Sequence, residues 1–262
     1  MILDVVDPEK TPHLSMKDRL ILALFDLGIC TKPQLKTISG WTDNQIHGAI
    51  QRVRLAAGKK KAEEWIRSWQ PKRNKPYVFA LGPAGHAYAR ELRGEYNGNG
   101  HPPAGQVWHF VGLAEVLCRL MRSELEVLSW LSGRESASWL WHSLKQKGDS
   151  NPSTPLRPDA MVQVRLRGKT PQWWMIEYDL STEPPVRLIG KFMKYLSLSQ
   201  ILDLQKIPLL FVTVNERRKQ IAMQAFEQAI RSHEATWDQI HFTVEGEEPD
   251  YLIDWLNGLS IG

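Results

Sequence analysis

RPDAMVQVRLRGKTPQWWMIEYDLSTEPPVRLIGKFMKY, residues 157–195, sets carboxylates, two extended apolar patterns and a basic helical segment in a fixed order. From Val162 to Arg167, Val162, Val164 and Leu166 alternate with Gln163, Arg165 and Arg167, the period of a strand with one buried face. Asp159 stands just before it. After a Gly-Lys-Thr-Pro turn, Trp173 to Leu180 is rich in aromatic and apolar residues and reads as a second strand. Side chains two apart in a strand share a face, so Glu177 and Asp179 point one way and Ile176, Tyr178 and Leu180 the other. If the two strands pair as a hairpin, Asp159 comes close to Glu177 and gives oxygen ligands suited to a hard cation such as Mg²⁺. After Pro185 the spacing of Ile189, Phe192, Met193 and Leu196 predicts a helix, with Arg187, Lys191 and Lys194 as a basic stripe along it.

The rest of the chain bounds what this stretch belongs to. At 262 residues with a net charge of +4, it has the length and composition of a globular protein of one large or two ordinary domains. No apolar run is long enough for a membrane span and no secretory signal opens the chain, so the expected location is the cytoplasm. Cys30 and Cys118, the only cysteines, lie far apart inside apolar helical patterns, which excludes a CxxC metal site and points to buried thiols. Charge is unevenly spread: residues 1–100 carry 16 Lys and Arg against 10 Asp and Glu, and residues 101–262 carry 17 against 19.

Residues 1–14 show little periodicity and read as an arm or a disordered tail. Ser15, Thr31 and Thr42 or Asp43 then start three helices, the first two ending at Gly28 and Gly40 and the third running to about Leu55 with Ile46, Ile50, Val53 and Leu55 facing inward. The outer face of the third carries Asn44, Gln45, His47, Gln51, Arg52 and Arg54. Trp65 to Trp69 and Tyr77 to Leu81 are strand-like and flank a basic loop containing Lys72, Arg73 and Lys75. From Arg52 to Lys75 nine basic residues face only Glu63 and Glu64, a density suited to phosphate. Three short helices followed by a hairpin suit a winged helix-turn-helix over 15–93, with Asn44, Gln45, Gln51, Arg52, Arg54, Lys72, Arg73 and Lys75 as the DNA-binding candidates. A charged, solvated hairpin in a domain that binds protein is the plainer alternative.

Residues 94–106, rich in Gly and Pro, read as a linker, and 107–262 as a second domain. There, Val107–Arg122 is an amphipathic helix, 125–131 a strand and 136–157 a long loop, in which Trp139 and Trp141 either pack on a core or stack on bases. Ile207 to Val214 is a strand buried on both faces. A helix from Glu216, a strand near His241 and a closing helix complete an α/β order with a central mixed sheet.

Pro158-Asp159, then Glu177-Tyr178-Asp179, resembles the PD-(D/E)xK nuclease-like core, with Asp179 standing where that pattern has its lysine. In some members the lysine comes from the following helix, and Lys191 holds that place here. Pro-Asp, Glu-x-Asp and a helix bearing Lys191-x-x-x-Tyr195 is similar, more narrowly, to the replication-relaxation family of plasmid and mobile-element proteins. The resemblance implies catalytic roles for Asp159, Glu177 and Lys191, and a metal site of Asp159, Glu177, Asp179 and, from the preceding helix, Glu115. It implies duplex DNA as partner, with other replication or mobilisation proteins beside it; a homodimer stays open. Three functions remain: a DNA-binding protein of replication or mobilisation with a degenerate nuclease-like domain, an active Mg²⁺-dependent DNA endonuclease, and a protein–protein adaptor without DNA affinity.

Overall fold

Ile2, Val5 and Val6 stand at helical spacing and are all buried, so they form a short helix, α1 (Ile2–Val6), where an arm or a disordered tail is expected. We describe the fold from a computed structural model covering residues 2–58, 61–94, 106–146, 156–201, 207–233 and 237–258. It divides into two compact units, Met1–Met121 and Arg122–Gly262.

In the first unit the expected caps hold. The Ser15 side chain accepts from the Asp18 amide to start α2 (Met16–Leu27), and capping boxes at Thr31–Gln34 and Thr42–Gln45 start α3 (Lys32–Ser39) and α4 (Asp43–Ala57). Between α2 and α3 lies a short strand, β1 (Ile29–Thr31). After α4 come a single helical turn, α5 (Ala62–Trp65), then β2 (Ile66–Trp69) and β3 (Val78–Leu81). The sheet order is β1-β3-β2, all antiparallel, with Ile29 opposite Ala80 and Trp69 opposite Val78. The helix α6 (Pro83–Arg93) starts against α5, and Gly82 makes this possible: a Cβ there would lie 2.3 Å from the Glu63 carbonyl oxygen. The next helix, α7 (Val107–Arg122), belongs to this unit, where the sequence groups it with the second. The reason is a polar anchor: Gln34 Nε2 donates to the Val111 carbonyl at 2.8 Å and to Glu115 Oε2 at 2.9 Å, while Cys118 Sγ meets the Gln34 carbonyl at 3.7 Å. Most of the expected linker, 94–106, lies outside the described residues.

The second unit is a five-stranded mixed sheet in the order β4-β5-β6-β7-β8. β4 (Glu126–Ser132) leads directly into α8 (Gly133–Gln146), so the first half of the expected loop at 136–157 is helical. Ser132 and Glu135 cap it reciprocally, with the Ser132 amide 2.9 Å from Glu135 Oε2, and Ser136 and Leu140 are buried on it. Residues 147–155 of that loop lie outside the described residues. β5 (Ala160–Arg165) and β6 (Gln172–Asp179) form the expected antiparallel hairpin, and β4 pairs antiparallel with β5.

From β6 the sheet turns parallel. α9 (Pro185–Ile201) crosses to β7 (Leu209–Thr213), and α10 (Glu216–His233) crosses to β8 (Ile240–Val244), before α11 (Glu248–Gly258). All five residues of β7 are buried, as a central strand covered on both faces requires. One face packs Met161, Met175 and Phe211 against α9 and α10, with the Phe192 ring 5.2 Å from Phe211 and 5.4 Å from Phe226. On the other face Trp174 meets Trp255 of α11 edge-on at 4.6 Å. Among the described residues no helix is long and apolar enough to cross a membrane.

Candidate functional site

The hairpin register builds the centre of the site. Ala160 pairs with Ile176 and Met161 with Met175, so one step further Asp159 stands across from Glu177. The Tyr178 amide donates to Asp159 Oδ2 at 2.9 Å, fixing the Asp159 carboxylate at the strand start. Gly133 lets α8 begin directly beside this backbone, since a Cβ there would meet the Pro158 and Asp159 carbonyl oxygens at 2.9 and 3.1 Å. Glu177 is only 3% exposed.

Both of its oxygens are occupied from α9. Lys191 Nζ donates to Oε2 at 3.0 Å, and the Tyr195 hydroxyl, stacked by its ring on Trp237, donates to Oε1 at 2.6 Å. Residues 188, 192, 195 and 196 form the buried face of α9, which is rotated from the expected 189, 192, 193 and 196 and carries Lys191 toward the sheet. Arg187 and Lys194 stay exposed. Lys191 also lies 3.7 Å from Glu183.

Burial and the neighbouring Asp159 carboxylate push Glu177 up to about 8, against the opposing pull of Lys191 and Tyr195. Burial alone would lower the Lys191 ammonium, but Glu177 and Asp159 outweigh it and hold it above its ordinary value. Burial, then the Glu177 carboxylate, raises the Tyr195 hydroxyl.

A raised carboxyl group is neutral in the fold over a pH range where it is ionised in the unfolded chain. Glu177 therefore costs stability progressively as pH rises from about 4.5 toward about 8. Glu177→Gln keeps an acceptor for Tyr195 and cannot ionise. We expect the stability of the native protein relative to Glu177→Gln, from urea unfolding, to fall between pH 5 and pH 8; a pH-independent difference would contradict the raised value.

Asp179 points to the same face but does another job. Arg218 of α10 pairs with it through Nε and, at 3.2 Å, through Nη2, while the Ser181 amide donates to its Oδ1 at 3.0 Å. That last bond holds Ser181 at φ 64, a left-handed conformation unusual for serine. Arg218 Nη2 also donates to the Glu183 carbonyl at 2.7 Å. The expected metal ligand Asp179 is thus the partner of a buried guanidinium, and Glu115 sits in the first unit on Gln34. Among the described residues no three His, Cys, Asp or Glu side chains are placed to share a metal. What the fold brings together is Asp159, Glu177 and Lys191, with Tyr195 added. In the sequence Arg218 stands inside a run of three basic residues at a helix start, which gives no sign of an inward partner.

The first unit presents a different surface. On α4, Ile46, Ala49, Ile50 and Val53 are buried, and Asn44, Gln45, His47 and Arg52 are exposed. Gln51 is half-buried, and Arg54 donates to Ser68 of β2 at 2.8 Å, bracing helix to hairpin. Asp43 is balanced by Lys32 and Lys36 of α3, at 2.8 and 3.0 Å. In the β2–β3 loop, Lys72, Arg73 and Lys75 are exposed around a turn closed by Lys75 N to Lys72 O at 3.0 Å, with Asn74 left-handed at φ 69. Gln70 Nε2 donates to the Lys75 carbonyl at 2.7 Å, and Lys75 Nζ lies 5.8 Å from the Trp108 ring centre.

Residues 23–209 match the family model described as replication-relaxation. Neither a curated protein nor a solved structure matches the chain. The matched region runs from within α2 to the first residue of β7, and takes in α4, the β2–β3 loop, Asp159, Glu177, Lys191 and Tyr195. With well over half of its length inside that match, the chain belongs to the replication-relaxation family.

Proposed function

We propose that the chain is a duplex-DNA-binding protein acting in the replication or mobilisation of a plasmid or mobile element, with a winged helix-turn-helix in its first unit. Family membership supports the replication theme. The observation that carries DNA binding is the order α2, β1, α3, α4, the single turn α5, β2, loop, β3, in which α4 and the loop present Arg52, Lys72, Arg73 and Lys75 to solvent. Other replication or mobilisation proteins, or a second copy of the chain, are partners of this reading. The test is binding of the whole chain to a mixed-sequence duplex at two salt concentrations. Steep salt dependence is expected; affinity that is absent, or indifferent to salt, would favour an adaptor that binds protein.

The second unit is read as a degenerate PD-(D/E)xK-like domain. Glu177 is engaged by Lys191 and Tyr195, and Asp179 by Arg218, so the negative charge of the cluster is largely balanced within the chain. The convergence of Asp159, Glu177 and Lys191 keeps an Mg²⁺-dependent endonuclease as the second reading. Mg²⁺ is commonly held by one or two carboxylates with water completing its shell; in this reading Asp159 and Glu177 would be that pair, with Lys191 and Tyr195 giving up Glu177 to the ion. Bound there, the ion would supply charge stabilisation to a phosphate; Lys191 would hold the anionic group beside it. Plasmid nicking with Mg²⁺ or Mn²⁺ separates the two. Little or no turnover is expected, whereas robust turnover abolished by Asp159→Ala would establish the nuclease.

A further inference from the structure

Gly48 sits in the middle of a 15-residue helix whose other turns are built from ordinary helix residues. Glycine there costs helix stability relative to alanine, yet the fold around it supplies no structural reason for the residue. At Gly82 a Cβ would collide with backbone oxygens, but at Gly48 it would meet only Arg52 Nη2, at an ordinary 3.6 Å. The backbone at Gly48 does not take a left-handed φ either. The fold, among its described residues, accommodates a side chain at this position.

The place of Gly48 on α4 is specific. Asn44, Gly48, Gln51 and Leu55 recur at helical spacing and form the stripe opposite the buried Ile46, Ala49, Ile50 and Val53. Leu55, expected from the sequence to face inward, instead ends this stripe and is 74% exposed, the most exposed large apolar residue among those described. Arg52 flanks the stripe with its guanidinium over Gly48. At the centre of this polar, cationic and partly apolar helix face there is no Cβ, only the half-buried Gly48 backbone under the flexible Arg52 guanidinium, so a partner that draws Arg52 to itself can approach the backbone closely.

We propose that Gly48 is the point of closest approach between α4 and the floor of a DNA major groove, so that base-pair edges sit where a Cβ would otherwise stand. This rests on the DNA-binding reading of α4 and adds to it an approach made through the helix backbone. The occupant is duplex DNA because Gly48 is bordered by Asn44, Gln51 and Arg52, which suit base edges, and the cations Lys72, Arg73 and Lys75 of the same unit suit the phosphates. The exposed Leu55 fits the apolar C5-methyl of thymine in the same groove.

The test measures fold and binding together on the full chain, using a mixed-sequence duplex at low salt, for the native protein, Gly48→Ala and Gly48→Leu. Gly48→Ala should raise the thermal midpoint by roughly 2–4 °C, because helix propensity improves and nothing collides. It should nonetheless weaken duplex binding by about fivefold or more, and Gly48→Leu should weaken it further, as overfilling a close interface does. A raised midpoint with unchanged affinity in both variants would overturn the close-approach assignment while leaving DNA binding intact. A lowered midpoint for Gly48→Ala would show that the glycine serves the fold and would also overturn it. Absence of salt-dependent binding by the native protein would instead remove the DNA-binding reading itself, and this close approach with it.

Discussion

Asp179→Ala is expected to lower the unfolding free energy of the second unit by about 3–5 kcal/mol, the usual cost of stranding a buried charge. Arg218 and Asp179 are only 7% and 5% exposed, so water cannot replace the missing partner. The substitution also removes the acceptor of the Ser181 amide, which holds the left-handed turn between β6 and α9. Arg218→Met alone leaves a buried carboxylate that still accepts from Ser181 and should cost somewhat less. Asp179→Asn with Arg218→Met removes both charges and should recover much of the stability, since a pair replaced whole destabilises far less than a pair broken. Urea unfolding of the three variants checks this. A decrease below about 1 kcal/mol for Asp179→Ala would put the pair among ordinary surface bridges.

Replacing Lys72, Arg73 and Lys75 together by alanine is expected to weaken duplex binding on every sequence and to flatten its salt dependence. Each phosphate that is no longer neutralised takes about 0.9 off the slope of log affinity against log salt, so three phosphates give about 2.7. The three side chains are exposed at the tip of the β2–β3 loop, and the turn beneath them is closed by backbone and Gln70 bonds that the substitutions leave in place. Folding should therefore be unaffected, and a thermal midpoint equal to the native one is the control. Unchanged affinity at two salt concentrations would remove the loop from the interface. Arg54→Ala makes a useful contrast: it breaks the brace to Ser68 and should act through the placement of α4 as well as through charge.

How much of the fold is legible in the sequence follows from how local each signal is. The β5–β6 hairpin, the common face of Glu177 and Asp179, and the caps at Ser15, Thr31 and Thr42 are set by neighbours within a few residues, and each can be read directly. The same kind of signal exists at Ser132–Glu135, a capping pair masked by the Ser- and Gly-rich composition around it, and at Ile2, Val5 and Val6. The site is legible only in part because partners of buried charges lie on other elements. Periodicity shows that Glu177 and Asp179 share a face, but it cannot show that α9 answers one and α10 the other. Nor can it show that Gln34 anchors Glu115 and its helix in the first unit, which depends on a hydrogen bond across 81 positions.

Asp159, Glu177, Lys191 and Tyr195 all come from one continuous run, with sequence separations of 14 and 18 for the two bonds that α9 makes to Glu177. Chain entropy opposes the closing of such short loops only weakly, and the penalty grows logarithmically with their length. The carboxylate cluster can assemble from a hairpin and the helix after it, whereas the Arg218 bond to Asp179 closes a loop of 39 positions and depends on β7 having already been passed. The β5–β6 hairpin that carries the cluster is thus the most local pairing of the sheet, joining residues 8 to 16 positions apart, whereas β4–β5, β6–β7 and β7–β8 each join residues 28 or more positions apart.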